Sequence, residues 1–356
     1  MDLVAGSGHH FDPEKRGMTL FRLLLSSTQF AVAILAVLAG CAPGFAQGAA
    51  EVGTNSIRDP FWNGGAKDCN ANPQPPLEQR SLNAGTVLLR EGLCSTFEAP
   101  FLYLLIGSKK ALLIDTGDVT DAAQMPLAKT ILGLLPGTEA EKLPLLVVHT
   151  HRHLDHRAGD AQFANLPHVQ VIGYDLDSVR KFYNFKDWPN GIAEIDLGDR
   201  IVDVLPTPGH NETEVSFYDR KYELFFSGDF LMPGRLLIDD RDADLASARR
   251  AAAFVSDRPV QAILGGHIEF DAQGETFPWQ SQYHPHEHAL AMSKGDLLAL
   301  PKALEGFNGI YSRSGQFVMI NPMRLLILFC LITLLALTAL VAGIVKLVRA
   351  QRRRSS

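Results

Sequence analysis

Four of the chain's 12 histidines and one aspartate crowd the eight positions of HTHRHLDH, residues 149–156, and this run constrains the fold more than any other feature. It follows an apolar stretch, Leu143 to Val148, that reads as a strand running out into a loop. Period-2 alternation sends His151 and His153 to the same side, while Asp155 and His156 fall where the loop turns. Three protonatable rings packed so closely repel one another or desolvate badly unless a cation lies between them. One loop therefore serves two metal ions.

Three later residues complete the set: His210 in TPGH, Asp229 in FSGD and His267 in GGH. Imidazole and carboxylate suit zinc, with iron or manganese as alternatives, and a catalytic zinc usually takes three protein ligands and leaves a place for water. His151, His153 and His210 would fill one site. Asp155, His156 and His267 would fill the second, with Asp229 bridging both. Two Zn2+ ions sharing a hydroxide give a nucleophile at neutral pH, so the expected reaction is hydrolysis, with Asp155 as both ligand and helper of the bridging hydroxide. His149, one strand step earlier, is expected to be buried or to support the site.

The pattern resembles the metallo-β-lactamase superfamily on LLIDTG (112–117), THRHLDH (150–156), PGH (208–210), SGD (227–229) and GGH (265–267), over about Leu82 to Ile268. The resemblance implies an αββα sandwich, where the alternation of strands and helices alone gives only an α/β class. It also implies that Asp115 supports the metal loop by hydrogen bonds without binding metal. Asp229, where zinc β-lactamases commonly carry Cys or Ser, points to the glyoxalase II, lactonase, phosphodiesterase and RNase Z types. His153, where the flavodiiron branch has Glu, argues against that branch. The leading substrate is a small ester, thioester, lactone or amide. Alternatives are a phosphodiester, mononuclear iron chemistry on persulfides, or a non-catalytic metal-binding membrane sensor.

Charge bears on the partner. Taking away the nine Lys/Arg and three Asp/Glu outside residues 47–322 from the chain totals of 33 and 39 leaves 24 against 36, a net of −12. Phosphate-backbone affinity comes largely from Lys and Arg, so no nucleic-acid partner is expected and an RNase Z role is disfavoured.

The termini set the topology. Leu325 to Val345 is uncharged, apolar and about 31 Å long as a helix, enough to cross a bilayer core of about 30 Å. Lys346, Arg349 and Arg352 to Arg354 follow, so positive charge places residues 346–356 in the cytoplasm and the domain, residues 81–322, outside. Lys15, Arg16 and Arg22 before the apolar Phe30 to Ala39 read as an export signal over residues 1–46, cleaved before Gln47. A lipobox at Leu38 to Cys41 is the alternative use of the same segment. The expected location is a bacterial inner membrane, spanned once, with the catalytic domain periplasmic. In that oxidising compartment Cys69 and Cys94 are expected to form a disulfide.

Residues 47–80 read as an irregular lead-in. Leu82 to Leu93, Pro100 to Ile106, Ala111 to Ile114, His168 to Tyr174, Gly198 to Leu205, Glu214 to Phe226 and Val260 to Leu264 read as strands, and Ala122 to Leu135 and Ala243 to Val255 as helices. Phe182 to Ile192 reads as an aromatic insertion, a pocket wall or plain packing. His284, His286 and His288 in YHPHEH are candidates for a substrate contact or general acid, on a turn set by Pro285.

Overall fold

The computed structural model describes residues 62–138 and 141–354. The export signal, the lipobox cysteine Cys41 and the first part of the lead-in lie outside the described residues.

The first sheet comprises β1 (Leu77–Asn83), β2 (Thr86–Glu91), β3 (Phe101–Ile106), β4 (Ala111–Ile114), β5 (Leu145–Val148) and β6 (Val169–Val171), paired in that order, with β2 to β5 covered on both faces. β4, β5 and β6 run parallel and the remaining neighbours antiparallel. Between them lie α1 (Leu127–Leu134) and α2 (Asp160–Phe163). The second sheet follows α3 (Leu176–Phe182) and comprises β7 (Ala193–Asp196), β8 (Ile201–Pro206), β9 (Val215–Asp219) and β10 (Leu224–Gly228). After β11 (Arg235–Leu237) and α4 (Arg241–Val255), β12 (Ala262–Gly265) and β13 (Ala291–Met292) complete it in the order β13-β12-β10-β9-β8-β7. Last come α5 (Lys294–Glu305), β14 (Tyr311–Ser314), β15 (Phe317–Ile320) and α6 (Pro322–Arg354).

Alternation sorts the strands into layers. Leu112, Ile114, Leu146 and Val148 meet Val204, Phe217, Phe226 and Leu264 between the sheets. Leu113 and Val147 face outward onto Leu127 and Ile131 of α1. Phe225 and Ile263 pack on Ala251 and Val255 of α4 and Leu297 and Leu300 of α5. Helix, sheet, sheet and helix make the αββα sandwich, and the metal-loop strand β5 lies inside it, buried at every position.

The differences from expectation have local causes. Leu77 to Arg80, assigned to the lead-in, already belong to β1, because their backbone pairs with β2. Glu214 to Phe226 is two strands, since residues 220–223 turn the chain back. The first helix starts at Leu127 and not at Ala122, behind Pro126. In the aromatic segment Tyr183 and Phe185 are buried in the inter-sheet core, with Phe182 and Trp188 against it, which is the packing alternative. Cys69 and Cys94 are joined by a disulfide. Helix α6 is long and apolar enough to cross a membrane, and no part of its apolar window is buried against the domain.

The disulfide closes a loop with a sequence separation of 25. The Cys69→Ser/Cys94→Ser variant is expected to lose about 3–4 kcal/mol on a chain-entropy basis, read as a lower denaturant midpoint under oxidising conditions and none under reducing ones.

Candidate metal centre

Every candidate ligand sits at or just beyond the end of a strand. The loop after β5 carries His151, His153, Asp155 and His156, the loop after β8 carries His210, the turn after β10 carries Asp229, and the turn after β12 carries His267. Strands of both sheets thus deliver their ends to one rim.

Two groups result: His151, His153 and His210, and Asp155, His156, Asp229 and His267. In the first, His153 Nδ1 lies 2.9 Å from His151 Nε2 and 3.0 Å from His210 Nε2. Three nitrogens on one zinc at about 2.0–2.1 Å stand about 3.3 Å apart, so the triangle needs only slight widening to hold an ion. In the second, His267 Nε2 lies 3.4 Å from both Asp155 Oδ2 and His156 Nε2, and Asp229 Oδ1 lies 3.5 Å from both His156 Nε2 and His267 Nε2. These are separations of donors around a common cation, too long for good hydrogen bonds. Asp229 turns its other oxygen, Oδ2, to within 3.6 Å of His210 Nε2, so one carboxylate faces both groups. Asp229 Oδ1 is buried and accepts no hydrogen bond, an acceptor that a cation would satisfy. The donor set fits two metal ions.

Supporting bonds aim the rings. His156 Nδ1 lies 2.9 Å from Asp115 Oδ2, His210 Nδ1 2.9 Å from the Leu237 carbonyl, and His267 Nδ1 2.7 Å from the Glu98 carbonyl, leaving each Nε2 toward the site. Asp115 also accepts from Thr150 N at 2.7 Å and Thr150 Oγ1 at 2.9 Å. Its backbone takes φ 67°, a left-handed conformation that Asp tolerates better than most residues, and the turn brings the carboxylate back over the metal loop. His149 Nε2 bonds Asp160 Oδ1 at 2.8 Å, away from the ligand groups, in keeping with a supporting role.

Two glycines permit the approach of the segments. A Cβ on Gly266 would meet Asp229 Oδ1 at 2.3 Å, and one on Gly228, at φ 54°, would meet Thr150 Cβ at 2.7 Å.

Burial and charge split the imidazoles. Desolvation, reinforced by neighbouring rings, holds His151 well below the ordinary imidazole range, and desolvation and His210 bring His153 down to about 4. Desolvation also works against a charged His267, but Asp229 and Asp155 outweigh it and push that ring up to about 10. His151 and His153 thus offer neutral rings, while in the second group a metal ion would replace protons shared with carboxylates.

Of the YHPHEH histidines, His284 is buried, stacks on Phe277 at 4.1 Å and lines a small cavity of about 30 Å³ together with His267, Glu98, Arg235 and Trp279. His286 is exposed on a left-handed turn and His288 bonds the Ala289 carbonyl at 2.7 Å; neither lines that cavity. Between them Glu287 forms a buried two-pronged pair with Arg90 at 2.6 and 2.7 Å, fastening this loop to β2. No local pattern marks Arg90, Glu98, Arg235 or Trp279, because each meets the site through a segment distant in sequence.

The family model described as the Metallo-beta-lactamase superfamily matches residues 96–300, which contain all seven candidate ligands. The chain belongs to the metallo-beta-lactamase superfamily. It is 27% identical over 240 residues to human acyl-coenzyme A thioesterase MBLAC2, covering 57% of this chain and 85% of that one. It is 34% identical over 115 residues to hydroxyacylglutathione hydrolase of Anaeromyxobacter dehalogenans (strain 2CP-C), covering 32% and 40%. A metallo-beta-lactamase structure from Pontibacter korlensis matches with a TM-score of 0.43 at 16% identity, covering 65% and 100%.

Asp115→Ala is expected to weaken metal binding about 10–100-fold while leaving the far-ultraviolet spectrum unchanged, as titration with a chelator of known affinity would read. Gly266→Ala should lower metal content at the second group and spare the first, giving close to one equivalent by elemental analysis.

Proposed function

We propose that this chain is a dinuclear zinc hydrolase that cleaves a small thioester outside the cytoplasmic membrane. Hydrolase chemistry in this superfamily is carried by its relatives, named as an acyl-coenzyme A thioesterase and a hydroxyacylglutathione hydrolase. Both names describe cleavage of an acyl–sulfur bond, which narrows the ester, thioester, lactone and amide range to thioesters. The observation that carries the dinuclear reading is Asp229, whose two oxygens face different ligand groups at 3.5 and 3.6 Å.

In this reading His151, His153 and His210 hold one zinc, Asp155, His156 and His267 the other, and Asp229 both. When bound, the pair would lower the pKa of a water and polarise the acyl carbonyl. Asp155, on the rim of the second group, orients the attacking water; Asp115 and Thr150 keep the metal loop in place. The water oxygen bonds to the acyl carbon, the carbon–sulfur bond breaks, and the water proton ends on the departing sulfur. The products are a carboxylic acid and a thiol.

The domain assignment is residues 81–322 for catalysis, with 325–345 as a single span of a bacterial inner membrane and 346–356 in the cytoplasm. The apolar window of α6 and its basic end, Lys346 to Arg354, support this orientation.

Elemental analysis of the full chain, with a hydrolysis panel of thioesters, lactones, β-lactams and bis-nitrophenyl phosphate, tests the reading. About two zincs per chain and thioester turnover that falls at least about a thousandfold in Asp229→Ala and His151→Ala are expected. One iron per chain would favour persulfide chemistry, selective phosphodiester cleavage a phosphodiesterase, and bound metal with no turnover a sensor.

A further inference from the structure

The membrane-spanning helix has no linker. β15 ends at Ile320 and α6 begins at Pro322, with Asn321 alone between them. Asn321 is buried and fully engaged with its surroundings. Its backbone N–H donates to the Ile310 carbonyl at 2.9 Å, and its carbonyl accepts from Leu325 N at 3.0 Å. Its side-chain Nδ2 donates to the Ile238 carbonyl at 2.7 Å and its Oδ1 accepts from Arg324 N at 2.8 Å, capping the helix. A helix rooted in this way turns with the domain.

The same root reaches the metal centre in one strand step. β15 pairs in parallel with β11, with Leu237 opposite Ile320. The Leu237 carbonyl is the group that orients His210 at 2.9 Å. Arg235, at the other end of β11, lines the cavity beside His267. Two extended residues span at most about 7 Å, three helical residues about 4.5 Å, and neighbouring strands lie about 4.8 Å apart. Those steps place Leu237 no more than about 17 Å from Leu325, where the uncharged apolar run begins. A headgroup layer takes up about 5–8 Å of that distance. Tyr311, 47% exposed and paired with Ile320 on β14, lies beside the helix root, where interfacial aromatics collect.

We infer that the metal centre is held against the bilayer surface and that its substrate is a bilayer-resident acyl amphiphile, a long-chain thioester whose chain stays in the hydrocarbon while its carbonyl reaches the metals. The inference rests on the thioester reading and the membrane span of the preceding section, and adds where the substrate comes from. A water-soluble short-chain thioester gains nothing from such a root; a membrane-partitioned one meets the site at high effective concentration.

The test inserts a 12-residue Gly/Ser linker between Asn321 and Pro322 in the full chain, reconstituted in phosphatidylcholine vesicles. Palmitoyl and acetyl thioesters of N-acetylcysteamine are the probes. We expect kcat/KM for the palmitoyl substrate to fall about tenfold and that for the acetyl substrate to stay within about twofold. An equal fall in both, or no change in either, overturns the inference. If the native chain cleaves neither thioester, the thioester reading fails, and the amphiphile with it. The placement has a readout of its own: Co2+-loaded native protein should broaden the headgroup 31P resonance more strongly than the Co2+-loaded linker variant. Equal broadening overturns the placement whatever the turnover.

Discussion

Lone pairs pressed against lone pairs are the constraint on which the rest of this molecule depends. His151, His153 and His210 bring three ring nitrogens together at about 3 Å, and Asp229 lays a bare carboxylate oxygen between two further imidazoles. Buried acceptors in such an arrangement repel unless protons or cations lie among them, and desolvation removes the option of protonating His151. The two sheets converge to maintain this arrangement. Each contributes strand ends to the rim, and the core between them, from Ile114 and Val148 to Phe226 and Leu264, fixes the separation of the two ligand-bearing edges.

Rigidity at the rim comes from contacts remote in sequence. Asp115 ties Thr150 and His156 to the end of β4, and the Glu98 and Leu237 carbonyls orient His267 and His210. The buried Arg90–Glu287 pair holds the loop that carries His284 against the first sheet. Removing one member of such a pair leaves the other charge buried and unpaired, so the cavity wall near His267 rests on a contact between residues 197 positions apart. The apolar helix α6 is tied to the same frame, because β11 both supports His210 and pairs with the strand that runs into α6.

Much of this was legible from the chain alone. The clustering of His151, His153, Asp155 and His156 behind an apolar run pointed to a metal loop at a strand end, and Ala111 to Ile114 was located to the residue. An uncharged run of apolar residues before a basic end identified a candidate span, and the compartment implied by that reading paired Cys69 with Cys94. Other elements were not legible. β1 carries Glu78, Gln79 and Arg80 on a half-exposed edge, a composition that does not announce a strand until β2 pairs with it. The aromatic segment around Tyr183 and Phe185 left a pocket wall and plain packing open, because its chemistry suits a pocket as well as a core.

The sequence by itself determined the crowding of candidate metal ligands behind β5, the α/β alternation and the apolar C-terminal helix, since residue type and short-range spacing suffice for each. Only the tertiary structure decided which oxygen of Asp229 faces which group, which of the three YHPHEH histidines reaches the cavity wall, and that Asn321 roots the apolar helix without a linker. Those outcomes depend on strand pairing and side-chain direction between segments tens to hundreds of residues apart. No local pattern encodes the distance between two such segments; the packing of the two sheets does.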